Sequence, residues 1–169
     1  PYLYLKMVMK AHNIPFTETG YFSDLMCDYL NDKKELASFH SGVPSFENLY
    51  HQASTKKGFY PSETRKTLCK TLYYQYTGLD VGNEVTENLL LLENDNTFTV
   101  TTGHQLCLMT GPLYFIYKIV STIKLCQQLK EKYSDLNFVP VYWMATEDHD
   151  FEEISSFIFR GKKFKWNNE

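Results

Sequence analysis

The chain changes from helical to strand patterning at the stretch Thr97-Phe98-Thr99-Val100-Thr101-Thr102, where every residue is β-branched or aromatic. Side chains of this kind favour a pleated strand. We expect Gly103 to end the strand and a short loop to follow. A long helical pattern then opens at Gly111-Pro112, with proline at its favoured first-turn position.

The predicted helix has one apolar face and ends near Tyr133. The face is formed by Leu113, Ile116, Val120, Ile123 and Cys126. Residues 138–145 are then almost continuously apolar, which is typical of a strand covered on both faces in a parallel sheet. A hairpin is expected over residues 157–166. Together these elements predict an α/β strand-helix-strand unit in residues 96–169.

The preceding residues, 9–95, predict a helical amino-terminal region. Apolar residues recur there at helical spacing, and signals that end or begin helices separate the segments, as at Gly42-Val43-Pro44 and Gly78. Because Met9-Lys10 resembles a translation start, we interpret residues 1–8 as leader or upstream sequence outside the fold.

Composition excludes several classes of function. With 43% hydrophobic and 22% charged residues, the 169-residue chain can bury one substantial core. Its net charge of -3 gives no broad basic field, so nucleic acid is not an expected partner. No apolar run reaches the roughly 18 residues of a membrane span. Four widely separated cysteines indicate reduced thiols, and we expect a cytoplasmic protein.

Two polar segments follow the two predicted strands. They are Thr101-Thr102-Gly103-His104-Gln105 and Thr146-Glu147-Asp148-His149-Asp150. Parallel strands joined by a crossover deliver their carboxyl ends to the same edge of the sheet, where open sheets bind ligands. The sequence therefore predicts a site at this edge, where His104 and His149 could also pair.

The start of the predicted helix offers groups for substrate binding. Backbone N–H groups near Gly111 could hold a phosphate or carboxylate, although a Gly-Pro start is often only a helix start. The sequence lacks G-x-G-x-x-G and Walker-type spacing, so neither nicotinamide nor a Walker phosphate loop is supported. Tyr114, Tyr117 and Lys118 fall in the next two turns, where they could contact substrate oxygens or simply cover an amphipathic helix.

The acidic segment favours acid–base chemistry. Three carboxylates flank His149, an arrangement suited to orienting an imidazole or binding an amine. Asp148 and His149 are the candidate acid–base pair, and Glu147 and Asp150 the candidate substrate contacts. The alternative is a solvated acidic loop that caps the next element. A metal ion ranks third, because no second His or Cys has fitting spacing, and we expect none.

Several motifs together resemble the bacillithiol biosynthesis cysteine-adding family, often called BshC. They are Thr101-Thr102-Gly103-His104-Gln105, Thr110-Gly111-Pro112-Leu113-Tyr114, Ile116-Tyr117-Lys118 and residues 147–153, with Ile14-Pro15 and residues 19–23 near the start. The resemblance runs from about Met9 to the end. The family often has Gln where this chain has His104, and its members are considerably longer, so the chain resembles an amino-terminal fragment.

The resemblance implies a Rossmann-like parallel sheet core, only the start of which lies in these residues. It also implies a coiled coil and a homodimer in the full-length protein. The activity it implies is a ligase that joins cysteine to glucosaminyl malate, with ATP or ADP left open as cofactor. The residues at the predicted edge then divide into two groups. The expected catalytic residues are Lys118, Asp148 and His149, and the expected substrate-binding residues are Thr102, Gly103, His104, Gln105, Gly111, Tyr114, Tyr117, Glu147 and Asp150.

Two other readings of the residues stay open. A nucleotidyl transferase of the same sheet class would use the edge for ATP and would release pyrophosphate. A non-catalytic module that binds a small ligand would use the helical half for assembly, and its activity would not depend on the side chains of Lys118 and His149.

Overall fold

The computed structural model describes residues 12–108, 111–148 and 150–167. The proposed leader, residues 1–8, lies outside the described residues, as does His149. The chain divides into two units, residues 1–49 and 50–169. The boundary predicted near residue 95, between helical and strand-containing sequence, stays a prediction.

The first unit is built from short helices. It contains α1 (Phe16–Thr19), α2 (Asp24–Leu30), a 3-10 turn (Lys34–Leu36) and the start of α3 (Phe46–Lys57). Gly20 ends α1 in the left-handed conformation, at φ 70°. Ser23 caps α2, because its hydroxyl oxygen accepts a hydrogen bond from the Met26 amide at 3.3 Å.

The second unit continues the helical pattern with α4 (Ser62–Tyr76) and α5 (Asn83–Leu92). Arg65 of α4 is buried, and its guanidinium donates to the Leu92 carbonyl at 2.8 Å and to the Thr97 carbonyl at 3.1 Å. These two carbonyls lie at the end of α5 and the start of the first strand. The helical prediction for this part of the chain is confirmed. Arg65 connects the helices to the sheet through its hydrogen bonds.

The strand-helix-strand prediction is also confirmed. Strand β1 (Thr97–Gln105) pairs in parallel with β2 (Asn137–Ala145), and α6 (Leu113–Lys132) connects them and contacts both. The register runs from Thr97 opposite Asn137 to Gln105 opposite Ala145. The two strands therefore end side by side.

Gly103 does not end the first strand, so that expectation was wrong. β1 runs on to Gln105, and Gly103 pairs with Trp143 of β2. A Cβ atom at Gly103 would lie 2.9 Å from the Trp143 carbonyl oxygen, closer than side-chain carbons approach. Glycine is needed here because the strands approach closely, and the loop begins after Gln105.

Two burial predictions also fail. The apolar face predicted for α6 is largely exposed, with Leu113 and Val120 at 62% and 55%. Cys126 is the one residue of the predicted face that is buried, and the other buried residues of α6 are Thr122 and Leu129. The helix is therefore rotated relative to the predicted face. In β2, Phe138 and Val139 are buried but Trp143 and Met144 are exposed, so the strand is not covered on both faces along its whole length.

The core lies toward the amino ends of the strands. Val139 of β2 clusters with Cys69 of α4 and Leu92 of α5, and Leu72 and Val141 pack against them. The carboxyl ends are more open, which leaves their polar groups accessible. The helix α7 (Phe151–Ile154) then leads into the predicted hairpin, formed by β3 (Ser156–Phe159) and β4 (Lys162–Lys165). None of the described helices is long and apolar enough to cross a membrane.

Candidate active site

The two predicted polar segments meet at the carboxyl ends of β1 and β2. Gln105 is the last residue of β1, and its side-chain amide donates a hydrogen bond to a carboxylate oxygen of Asp148 at 3.2 Å. Asp148 lies three residues beyond Ala145, the strand partner of Gln105. Both side chains remain accessible, so the pair can meet a ligand.

Lys118 is held at the same edge by the backbone of β1. Its ammonium donates to the Gly103 carbonyl at 3.1 Å and lies 5.5 Å from the centre of the Tyr114 ring. Tyr114 precedes Lys118 by one turn of α6, so both side chains lie on one face of the helix. A cation is thereby fixed beside the end of the first strand.

Tyr114 reaches His104 from the other direction. The His104 Nε2 atom and the Tyr114 hydroxyl are 3.0 Å apart, and the His104 Nδ1 atom lies 2.9 Å from the Gln105 carbonyl oxygen. Both ring nitrogens of His104 thus have partners on β1 and α6. The predicted pairing with His149 stays a prediction, because His149 lies outside the described residues.

Two aromatic residues that the sequence did not single out support His104. The Phe115 ring meets both the His104 and the Tyr142 rings edge-on, with centroids 5.7 and 5.5 Å away, and the Tyr142 hydroxyl donates to the His104 carbonyl at 3.2 Å. Burial raises the pKa of Tyr142, and Cys107 adds to this, so Tyr142 stays a protonated donor. Only the register of β1 against β2 reveals these contacts.

Gly111 lies in the connection from β1 to α6 and adopts a left-handed conformation, with φ 59°. A Cβ atom there would lie 2.7 Å from both the Cβ and the Sγ of Cys107. A side chain is therefore disfavoured by conformation and by space. Pro112 immediately precedes α6, so the helix begins one residue later than predicted.

The remaining predicted site residues differ in their surroundings. Thr102 pairs with Tyr142 in the sheet and is half-buried, whereas Tyr117 and Glu147 are exposed. Asp150 caps α7, because its side chain accepts from the Glu152 amide at 2.8 Å. That contact matches the capping alternative for the acidic loop and leaves the second carboxylate oxygen of Asp150 for other contacts. No three His, Cys, Asp or Glu side chains within the described ranges are grouped so that they could hold a metal ion.

The fold and this edge define a class of protein, an α/β domain with a ligand-accessible polar edge at the ends of parallel strands. Residues 9–169 match the family model described as "Bacillithiol biosynthesis BshC, N-terminal Rossmann-like domain". The chain therefore belongs to the BshC family, and the Rossmann-like prediction is confirmed.

Curated relatives agree with this assignment. The chain is 55% identical to the BshC protein of Christiangramia forsetii and 54% identical to that of Flavobacterium psychrophilum, over 95% and 94% of this chain and 30% of each relative. The BshC protein of Bacillus mycoides is 35% identical over 83% of this chain and 26% of its own length. Each of these three relatives is named provisionally as a cysteine ligase. The chain thus spans about 30% of the length of the first two of these relatives.

Proposed function

We propose that this chain carries part of the active site of an enzyme that joins cysteine to glucosaminyl malate through an amide bond, in bacillithiol biosynthesis. The observation that supports it best is the Gln105–Asp148 hydrogen bond, which joins two polar segments at the ligand-binding edge of a Rossmann-like sheet. The relatives' assignment as cysteine ligases supports the same reaction.

Lys118 is the proposed electrostatic group of the site. Its hydrogen bond to the Gly103 carbonyl fixes the ammonium in place, and an ammonium has two further N–H groups to donate. A carboxylate oxygen of the substrate is a suitable acceptor. Negative charge that develops on the same oxygen during acyl transfer would be stabilised more strongly, because the donor is already oriented.

Asp148 and His149 are the proposed acid–base groups. Amide formation requires the attacking amine to lose a proton, and a carboxylate or imidazole within reach can accept it. Gln105 restrains Asp148 through their 3.2 Å hydrogen bond. The part assigned to His149 rests on its position in the sequence, between Asp148 and Asp150.

His104 is proposed to act at this edge through Tyr114, because both of its ring nitrogens already have partners. The other proposed substrate contacts are Thr102, Gly103, Gln105, Gly111, Tyr114, Tyr117, Glu147 and Asp150. ATP or ADP is the candidate cofactor, and whether a nucleotide takes part in activating the carboxyl group is what an assay with and without ATP measures. Likeness to the family also supports a cytoplasmic homodimer as the working form of the full-length protein, which light scattering after size-exclusion chromatography would measure.

The direct test is a mass-spectrometric assay of the full-length protein with cysteine and glucosaminyl malate, with and without ATP. We expect a product whose mass equals the two substrates less one water, and none when either substrate is omitted. A folded protein that makes no product would contradict the proposal. Pyrophosphate release without that product would favour the nucleotidyl transferase alternative.

A further inference from the structure

The hydrogen bonds around His104 determine which of its nitrogens carries hydrogen. The Gln105 carbonyl oxygen, 2.9 Å from Nδ1, can only accept a hydrogen bond, so Nδ1 bears the hydrogen. In the neutral ring, Nε2 therefore carries a lone pair. The partner of Nε2 is the Tyr114 hydroxyl at 3.0 Å, and beside the neutral ring this hydroxyl donates to Nε2.

This arrangement fixes the hydrogen-bonding direction of Tyr114. While the Tyr114 hydroxyl donates its hydrogen bond to His104, only acceptor lone pairs remain on the phenolic oxygen. Tyr114 is 54% exposed, so a ligand at the sheet edge can reach that oxygen. Without an acceptor at position 104, the hydroxyl could turn and donate instead, and a ligand would meet a mixture of both orientations.

Neighbouring aromatic residues hold His104 in the position from which it accepts the Tyr114 hydrogen bond. Phe115 packs edge-on against it, and Tyr142 anchors the His104 backbone through its carbonyl. The Lys118 ammonium lies 5.5 Å from the Tyr114 ring. The Tyr114 oxygen, an acceptor, and the Lys118 ammonium, a cation, thus lie on one face of α6. This pair suits a ligand that presents an N–H donor beside a carboxyl group.

We propose that His104 is a positioning residue that acts through Tyr114, fixing its hydroxyl as the hydrogen-bond acceptor for the attacking amine of glucosaminyl malate. The inference rests on the proposed function, in which that amine attacks the carboxyl carbon of cysteine. A hydrogen bond from the amine to Tyr114 leaves the amine lone pair free to form the new C–N bond. The role of His104 is to accept a hydrogen bond, and any side chain with an acceptor at that point can fill it.

Four variants of the full-length protein test this: His104→Gln, His104→Leu, Tyr114→Phe and the double variant His104→Leu/Tyr114→Phe. Leucine removes the acceptor, whereas the glutamine carbonyl oxygen restores one. We expect His104→Leu and Tyr114→Phe each to lower kcat/KM for glucosaminyl malate about 10-fold, as for the loss of one hydrogen bond. His104→Gln should stay within about 3-fold of wild type.

The double variant is the decisive measurement. If His104 acts through Tyr114, adding His104→Leu to Tyr114→Phe causes no further loss, and KM for cysteine changes little in any variant. Losses that multiply in the double variant, or a glutamine variant as impaired as leucine, would overturn the inference. His51→Leu, at an exposed histidine of α3, is the matched control and should behave as wild type.

Failure of the two proposals can be told apart. A wild-type protein without cysteine-adding activity would overturn the proposed function and this inference together. An active wild type whose variants behave independently would overturn this inference alone. Melting curves of each variant show whether it is folded. If leucine unfolds the protein, a folded His104→Gln variant as impaired as Tyr114→Phe still overturns the inference.

Discussion

The Gln105 side-chain amide donates to the Asp148 carboxylate at 3.2 Å, although 43 residues separate the two in sequence. The helix α6 lies between them in the chain, and the parallel pairing of β1 with β2 brings them together. The bond is accessible to solvent and joins two of the polar segments on which the proposed function rests.

We predict that Gln105 and Asp148 act as a unit. Gln105→Ala and Asp148→Ala should each lower kcat/KM, and the double variant should lose about 1 kcal/mol less than the sum of the two losses, because the shared hydrogen bond is removed only once. Steady-state kinetics of the four proteins measure this coupling. Strictly additive losses would show that the bond contributes nothing to activity.

We predict that Arg65 is a major contributor to local stability. Arg65→Ala leaves the carbonyls of Leu92 and Thr97 without their guanidinium donor, at a cost of about 3 kcal/mol. Arg65→Lys should recover only part of the lost stability, because an ammonium cannot reproduce the planar pair of guanidinium N–H donors that reaches both carbonyls. Hydrogen exchange at the β1 amides reports the loss.

The control for Arg65 is its neighbour Lys66. That lysine is exposed and pairs with Glu63 at 3.4 Å, so Lys66→Ala should change stability by less than about 0.5 kcal/mol. Equal exchange rates in the Arg65 and Lys66 variants would contradict the assigned role of Arg65.

Cys126 should be an unreactive thiol in the folded protein. Burial raises its pKa from 9.0 to about 11, while a backbone hydrogen bond at Val100 acts in the opposite direction. Because the raised pKa favours the neutral thiol, its contribution to stability is complete below pH 9 and is lost as the pH rises toward 11. At pH 9, iodoacetamide should label Cys126 in unfolded protein and spare it in native protein.

Cys107 is the internal comparison for that experiment, since it is only half-buried and should be labelled first. Peptide mapping by mass spectrometry after a timed pulse distinguishes the two thiols. Native protein labelled at Cys126 as fast as at Cys107 would contradict the burial of Cys126.

The sequence predicts which segments form helices and strands better than it predicts which of their side chains are buried. The β-branched run at Thr97 and the apolar run before Ala145 identify both strands, because strand propensity is local. The buried face of α6 depends on how the helix sits on the sheet, so hydrophobic spacing alone selected Cys126 correctly but also four residues that are exposed. Gly103 was read as a strand end for the same reason, since the close approach of Trp143 is a tertiary feature.

The candidate site was likewise predictable in its location but not in its supporting contacts. Topology alone placed the segments around Gln105 and Asp148 at one edge, and the structure brings them into contact. The parts played by Phe115 and Tyr142 depend on ring packing and register across two strands. No spacing within one segment encodes such contacts.

The most direct test of the central claim compares Lys118→Ala and His149→Ala with Lys124→Ala in the full-length protein, by mass-spectrometric assay of cysteine addition. Lys124 is an exposed lysine of the same helix and serves as the control. We predict that each of the first two variants loses at least about 100-fold in turnover while remaining folded, because each lacks a charged or proton-transferring group of the site, and that Lys124→Ala matches wild type. Near-normal turnover by both Lys118→Ala and His149→Ala would contradict the assignment of the active site to this edge.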